Sequence, residues 1–122
     1  MAEPTQIKIS REGTAMIITL NRPEAMNAFT AVMKDEMIAA LDEADNDDSI
    51  RAVIVTGQGE RAFCAGADLS AGAETFDYDK RVDSDSPVGP DGSINWSHDL
   101  VRDSGGELSL RIFAAKKPIV AS

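Results

Sequence analysis

The sequence predicts a mixed α/β fold, and three observations indicate this class. Two short apolar runs surround "REG", which is typical of a β-hairpin. Apolar residues then recur at helical spacing from Thr30 onward, and "RAVIVTG" follows as a continuous apolar strand of the kind found in parallel sheets. The resulting order of strand, strand, helix and strand is typical of an α/β unit.

The first predicted element is the hairpin. Ile7 and Ile9 alternate with polar residues, as expected for a half-buried strand. The next run, "TAMIITL", is almost entirely apolar, so we expect the second strand to be buried on both faces. Pro23 then places the end of this strand in a loop.

The second element is an amphipathic helix for which Thr30 is the predicted N-cap. We interpret its methionines as core residues and its acidic run as a solvated face. The residues at helical spacing are Met33, Met37, Ala40, Leu41 and Ala44.

Residues 72–95 are rich in Asp, Ser, Gly and Pro and show no periodicity, which predicts a long acidic surface loop. The spacing of its aspartates lacks the glycine and the closing glutamate of a calcium-binding EF-hand loop. Helical spacing resumes after the loop, with Leu108, Ile112 and Ala115 on one face. Pro118 then opens "PIVAS", which we predict to be the start of another buried strand.

Composition restricts the class of partner. The chain has 122 residues and a formal net charge of −9, so electrostatic repulsion makes a nucleic-acid partner unexpected. We recognise no signal peptide and no apolar run long enough to span a membrane, so we predict no membrane association. The single cysteine fits a reducing compartment, and we expect a cytoplasmic location.

Catalytic motifs are few, and no His/Cys cluster has the spacing of a metal site, so no metal is expected. We predict that Cys64 is a small packed side chain and that His98 faces solvent, rather than that either is catalytic. The stretch "GQGERA" resembles a dinucleotide-binding loop only weakly, because Ala62 stands where the third glycine belongs.

The stretch "CAGADL" is the remaining candidate. Small residues after a strand let the backbone approach a ligand closely, and a free backbone N–H can stabilise an oxyanion. From the spacing alone, a plain strand-to-helix turn is the favoured interpretation.

Two longer motifs carry a family resemblance. "LNRPEAMNA" and, after the amphipathic helix, "VIVTGQGERAFCAGADL" resemble the enoyl-CoA hydratase/isomerase (crotonase) superfamily in order and separation. The resemblance covers essentially the whole chain, with the acidic loop as its variable part. It implies a crotonase-like spiral of ββα units that assembles into homotrimers or hexamers and binds an acyl-CoA thioester. It implies no separate cofactor, because coenzyme A is part of the substrate.

The resemblance also implies roles for particular residues. The backbone N–H of Ala67 would form one half of the oxyanion hole for the thioester enolate. Residues on either side of it, and the loop after the second strand, would border the CoA. These predicted substrate-binding residues are Glu24, Ala25, Met26, Asn27, Ala28, Ala65, Gly66, Asp68, Leu69 and Ser70.

The family's second oxyanion N–H and its acid/base carboxylates correspond to positions beyond Ser122. We therefore expect residues 1–122 to be the N-terminal part of a crotonase-like domain that needs its C-terminal half for catalysis. Syn-hydration of a 2-enoyl-CoA is the expected reaction, although isomerases, dehalogenases, decarboxylases and hydrolases share this front half. The alternatives are a non-catalytic acyl-CoA-binding or oligomer-forming module and, more weakly, a nucleotide-binding α/β unit.

Overall fold

Four strands and two α-helices make up the described chain. The computed structural model describes residues 3–70, 88–98 and 103–122. The elements in chain order are β1 (Ile7–Glu12), β2 (Ala15–Leu20), a short 3-10 helix (Pro23–Ala25), α1 (Ala31–Asn46), β3 (Ala52–Gly57), α2 (Ser104–Phe113) and β4 (Ile119–Ala121). This order confirms the predicted hairpin, amphipathic helix and parallel-type strand.

The strands form one sheet in the order β1-β2-β3-β4. The β1 and β2 strands pair antiparallel, whereas β3 pairs parallel with both β2 and β4. Because β2 and β3 are parallel neighbours, their carboxyl ends lie at the same edge of the sheet, where Leu20 is in register with Gly57. The loops that follow these two strands are therefore brought together, and they hold all the predicted site residues.

Helix α1 begins as the sequence predicts, since the Thr30 side chain accepts a hydrogen bond of 3.1 Å from the N–H of Met33. Its five predicted apolar positions are all buried. They pack with buried residues of the sheet into one core, whose members outside α1 are Ile7, Met16, Ile18, Leu20, Ile50, Val53, Val55 and Leu108.

The prediction that β2 is buried on both faces is wrong for the described structure. Burial alternates along the strand, with Met16, Ile18 and Leu20 buried and the residues between them only partly covered. The reason is that side chains alternate between the two faces of a strand and α1 covers one face of this sheet. The apolar run alone did not reveal this difference.

Helix α2 packs against α1 mainly through charged groups around one buried leucine, Leu108. The Arg111 guanidinium lies 2.9 Å from Asp42 and 2.7 Å from Asp45, and Lys34 lies 3.0 Å from Glu107. Of the residues predicted to share an apolar face with Leu108, Ile112 is exposed. The polar contacts of Arg111 thus set how α2 lies on α1.

These charged groups make stability dependent on pH at the α1–α2 contact. Desolvation raises the pKa of Asp45, but hydrogen bonds from Arg111 and from the backbone N–H of Lys116 outweigh it and hold this pKa below its usual 3.8. A carboxyl whose folded pKa is depressed contributes stability above the unfolded pKa and loses it as the pH falls through the folded value.

We therefore expect the urea midpoint of the protein to fall on acidification below about pH 4. Asp45→Asn should reduce this dependence, because the asparagine does not titrate. Asp48→Asn, at an exposed position of the following turn, is the matched control. Equal acid dependence in Asp45→Asn and the unaltered protein would contradict the assignment.

Most of the predicted acidic loop, residues 72–87, lies outside the described residues. In its described end, Val88 and Ile94 form an antiparallel bridge around a turn. The Asp91 carboxylate stabilises this turn by accepting hydrogen bonds from the N–H and hydroxyl of Ser93. In the described parts of the chain, neither helix is long and apolar enough to cross a membrane.

Candidate functional site

The candidate site lies where the loop after β2 meets the loop after β3. The Phe29 N–H donates to the Gly66 carbonyl over 2.7 Å, and the Asp68 N–H donates to the Phe29 carbonyl over 2.8 Å. A third bond of 3.1 Å joins the Ala65 N–H to the Met26 carbonyl. Phe29 and Ala67 thereby form an isolated parallel bridge, so the two loops run side by side.

This pairing determines the direction of the Ala67 N–H. The Gly66 carbonyl and the Asp68 N–H both point toward Phe29. The Gly66 carbonyl and the Ala67 N–H belong to one trans peptide group, in which the C=O and the N–H point in opposite directions, so the N–H of Ala67 points away from Phe29. Ala67 is exposed, and its N–H donates to no acceptor among the residues that the structure describes. Within the described ranges, this donor therefore has no competing acceptor.

Two glycines make this loop geometry possible. Gly66 has a φ of 103°, a backbone conformation that disfavours other residues. Gly57, at the end of β3, leaves no space for a side chain, since a Cβ there would lie 2.6 Å from the Phe63 carbonyl oxygen and 2.9 Å from that of Ala62. The glycine pattern in the sequence thus reflects a close backbone approach directly beneath the site.

Asn27 connects the two loops from inside. The residue is 1% exposed, and both the oxygen and the nitrogen of its side-chain amide are hydrogen-bonded. The oxygen accepts a hydrogen bond of 2.8 Å from the Arg22 N–H, and the nitrogen donates to the carbonyls of Gln58 and Ala62, each over 3.0 Å. Asn27 has a left-handed φ of 56°, which asparagine tolerates better than most residues. Its structural role is to join the loops, and its predicted contact with CoA stays a prediction.

Arg22 is a residue of this site that the sequence reasoning missed. One guanidinium nitrogen donates to the Ala28 carbonyl over 2.7 Å, and the other lies 2.9 Å from the Asp68 carboxylate. The available signal was an arginine two residues after the end of β2 and an aspartate in the loop after β3, the parallel neighbour of β2. Parallel strands bring such residues to one edge of the sheet.

Several neighbouring groups together lower the pKa of the Asp68 carboxyl and so favour its ionised form. Hydrogen bonds from the backbone and side chain of Ser70 are the largest cause that lowers its pKa, and the Arg22 guanidinium lowers it further. The site therefore places a fixed negative charge one residue from the Ala67 N–H, together with a cation that compensates it.

The structure brings every predicted site residue to this one edge of the sheet. Asn27 is buried, and Ala25, Ala28 and Asp68 are partly exposed. The exposed members are Glu24, Met26, Ala65, Gly66, Ala67, Leu69 and Ser70. Their assignment to CoA binding stays a prediction, and the exposed members are accessible to a ligand.

An open cleft of about 150 Å³ lies beside these residues. Pro23, Met26 and Asn27 line one side, and residues 58–62 line the other. The cleft thus follows the same junction between the two loops. Its walls combine the apolar Met26 side chain with the charged Glu60 and Arg61.

Cys64 belongs to the loop after β3, whereas His98 lies in a separate part of the described chain. Cys64 is partly buried and packs against the core, with its sulfur 3.9 Å from the Gly66 carbonyl oxygen. His98 is partly buried and follows the turn at Asn95. Within the described ranges, no three His, Cys, Asp or Glu residues are grouped as metal ligands.

Comparison with known proteins identifies the family of this chain. A family model described as enoyl-CoA hydratase/isomerase matches residues 10–87, which is well over half of the chain. The chain is 41% identical over 68 residues to a short-chain-enoyl-CoA hydratase of Clostridium acetobutylicum, covering 56% of this chain and 26% of the relative. It is 43% identical over 70 residues to a mitochondrial 3-hydroxyisobutyryl-CoA hydrolase of Danio rerio, covering 57% and 18% respectively.

The fold comparison agrees. The structure of an enoyl-CoA hydratase from Mycobacterium marinum matches 96% of this chain and 47% of its own, with a TM-score of 0.67 at 27% identity. The chain spans between 18% and 31% of the length of eight curated relatives that it matches. The family match, the shared fold and the two characteristic loops agree, and the chain belongs to the enoyl-CoA hydratase/isomerase family as an N-terminal part of the crotonase fold.

Proposed function

We propose that this chain supplies the N-terminal part of an enzyme that acts on acyl-CoA thioesters. The observation that carries the proposal is the outward N–H of the exposed residue Ala67, which is held in place because the Gly66 carbonyl and the Asp68 N–H on either side both bond to Phe29. A donor fixed in this way needs no reorganisation when negative charge develops on a bound oxygen. Such preorganised donors stabilise transition states more than ground states.

The proposed chemistry begins with polarisation of the thioester carbonyl by the Ala67 N–H. In syn-hydration of a 2-enoyl-CoA, water adds to C3, and negative charge moves through C2 to the thioester oxygen. The resulting enolate oxygen accepts the hydrogen bond from Ala67, and a proton delivered to C2 completes the addition. We assign the general acid/base groups, which move the protons, and a second N–H donor to the remainder of the complete protein.

Similarity alone does not distinguish hydration from hydrolysis, and hydration is the reaction that we propose. The chain resembles a hydratase at 41% identity and a hydrolase at 43%, over segments of almost equal length. Hydration passes through an enolate and hydrolysis through a tetrahedral oxyanion. Both reactions therefore place negative charge on the thioester oxygen. Ala67 therefore supports acyl-CoA chemistry as a class, and the acid/base groups select the product.

The decisive experiment is a hydratase assay on the complete protein. We expect trans-2-enoyl-CoA to lose its conjugated ultraviolet absorbance and to yield the 3-hydroxyacyl-CoA by mass spectrometry. Release of free CoA without hydration would instead identify a hydrolase. Saturable CoA binding without turnover of either kind would favour the non-catalytic acyl-CoA-binding module, and NAD binding without CoA binding would favour the nucleotide-binding alternative.

The proposal includes the partners of the complete protein. We propose a homotrimer or a pair of trimers, a cytoplasmic location, and no cofactor other than the CoA that the substrate carries. Native mass spectrometry of the purified protein tests the assembly, since masses in multiples of three protomers support it and a monomer contradicts it. Full activity after exhaustive dialysis against a chelator would support the absence of a metal or a dialysable cofactor.

A further inference from the structure

The Asp68 carboxylate creates an electrostatic problem for the proposed oxyanion site. It belongs to the residue directly after Ala67, whose N–H is to stabilise a developing negative charge. A carboxylate on the neighbouring residue opposes such a charge, and the Asp68 side chain is only 16% exposed, so solvent screens it weakly. An uncompensated carboxylate here would raise the energy of the enolate that the site is meant to stabilise.

The Arg22 guanidinium is placed to cancel that charge. It lies 2.9 Å from the Asp68 carboxylate, and the two side chains are only 18% and 16% exposed, so solvent screens the pair weakly. The arginine is itself held from two sides. Its second nitrogen donates to the Ala28 carbonyl, and its backbone N–H donates to the buried amide of Asn27. The Asp68 backbone N–H donates to the Phe29 carbonyl, so both residues of the pair have fixed positions.

We propose that Arg22 is a positioning residue that neutralises Asp68, so that the neighbouring Ala67 N–H can stabilise a negative oxygen. The inference rests on the proposed function, since it requires an oxyanion at Ala67. It differs from a purely mechanical role, in which the ion pair only holds the two loops together. The two roles make opposite claims about what happens when both charges are removed.

The test compares Arg22→Gln, Asp68→Asn and the double variant in the complete protein. If Arg22 acts by neutralisation, Arg22→Gln leaves Asp68 unpaired and kcat falls by about ten- to a hundredfold, with a smaller change in KM. The double variant has no carboxylate to neutralise, so it should regain most of this kcat. Asp68→Asn alone should lose less kcat than Arg22→Gln.

A spectroscopic measurement reports the same effect without turnover. An enoyl-CoA conjugated to an aromatic ring absorbs at longer wavelength when its thioester carbonyl is polarised. We expect a red shift on binding to the unaltered protein, a smaller shift with Arg22→Gln and a restored shift with the double variant. Arg11→Gln is the matched control, because Arg11 is exposed, pairs with Asp47 at 3.8 Å and lies at the opposite end of the sheet.

Three outcomes overturn the inference. If Arg22→Gln is folded by circular dichroism and matches the unaltered protein in kcat and red shift, neutralisation is unnecessary. If the double variant loses as much kcat as Arg22→Gln, the ion pair only holds the two loops together. An unaltered protein that neither turns over nor polarises any acyl-CoA overturns the proposed function itself, and the inference with it.

Discussion

Replacing Ala67 by proline is expected to lower kcat of the complete enzyme by about 10²–10³-fold, the usual effect of removing one oxyanion-hole donor. Proline has no N–H, so the outward donor at this position disappears. The bonds that fix the loop, from Phe29 to the Gly66 carbonyl and from Asp68 to the Phe29 carbonyl, involve neither backbone group of Ala67. We therefore expect KM, measured by steady-state kinetics, to change much less than kcat.

The matched control is Ala67→Ser, which retains the N–H at an exposed position that accommodates a hydroxyl. It should retain far more kcat than the proline variant. Circular dichroism and thermal unfolding establish that both variants are folded. If a folded Ala67→Pro enzyme turns over substrate as fast as Ala67→Ser, the assignment of the Ala67 N–H to the oxyanion is wrong.

Replacing Asn27 by alanine is expected to lower the free energy of unfolding by about 3 kcal/mol, because it leaves several buried polar groups without partners. The Arg22 N–H loses its acceptor, and the carbonyls of Gln58 and Ala62 lose their donor. Alanine also tolerates the left-handed backbone at this position less well than asparagine does. Urea denaturation monitored by circular dichroism measures the loss.

Asn46→Ala is the matched control for this experiment. Asn46 is exposed and makes one hydrogen bond of 2.9 Å from its side chain to the Asp42 carbonyl. Its removal should change the free energy of unfolding by no more than about 0.5 kcal/mol, as for most surface substitutions. Equal losses for the two variants would show that the buried amide of Asn27 does not hold the loops together.

A loss at Asn27 also has a consequence for the site. The amide connects the loop after β2 with the loop after β3, and Ala67 lies on the second of these. A looser junction leaves the Ala67 N–H less preorganised, which lowers the stabilisation of a transition state. Stability and turnover are therefore expected to fall together in Asn27→Ala, whereas Ala67→Pro separates them.

Periodicity in the sequence determined most of the fold. Helical spacing fixed the buried positions of α1 together with its Thr30 cap, and continuous apolar residues fixed β3. Both patterns involve residues that are close in sequence, so they can be recognised without knowing how the rest of the chain folds. For the site, the small residues of "CAGADL" indicated a close backbone approach, and the family resemblance selected Ala67 as the donor.

The tertiary structure alone decided which side chains support that donor. Asn27 binds the Ala62 carbonyl across 35 positions of sequence, and Arg22 reaches Asp68 from a different loop. Periodicity reports which face of an element a residue occupies, but not which residue of another element lies opposite. The same limit explains β2, whose apolar run predicted burial on both faces whereas the described structure covers one. Long-range pairing at the edge of the parallel sheet is what turned two local motifs into one site.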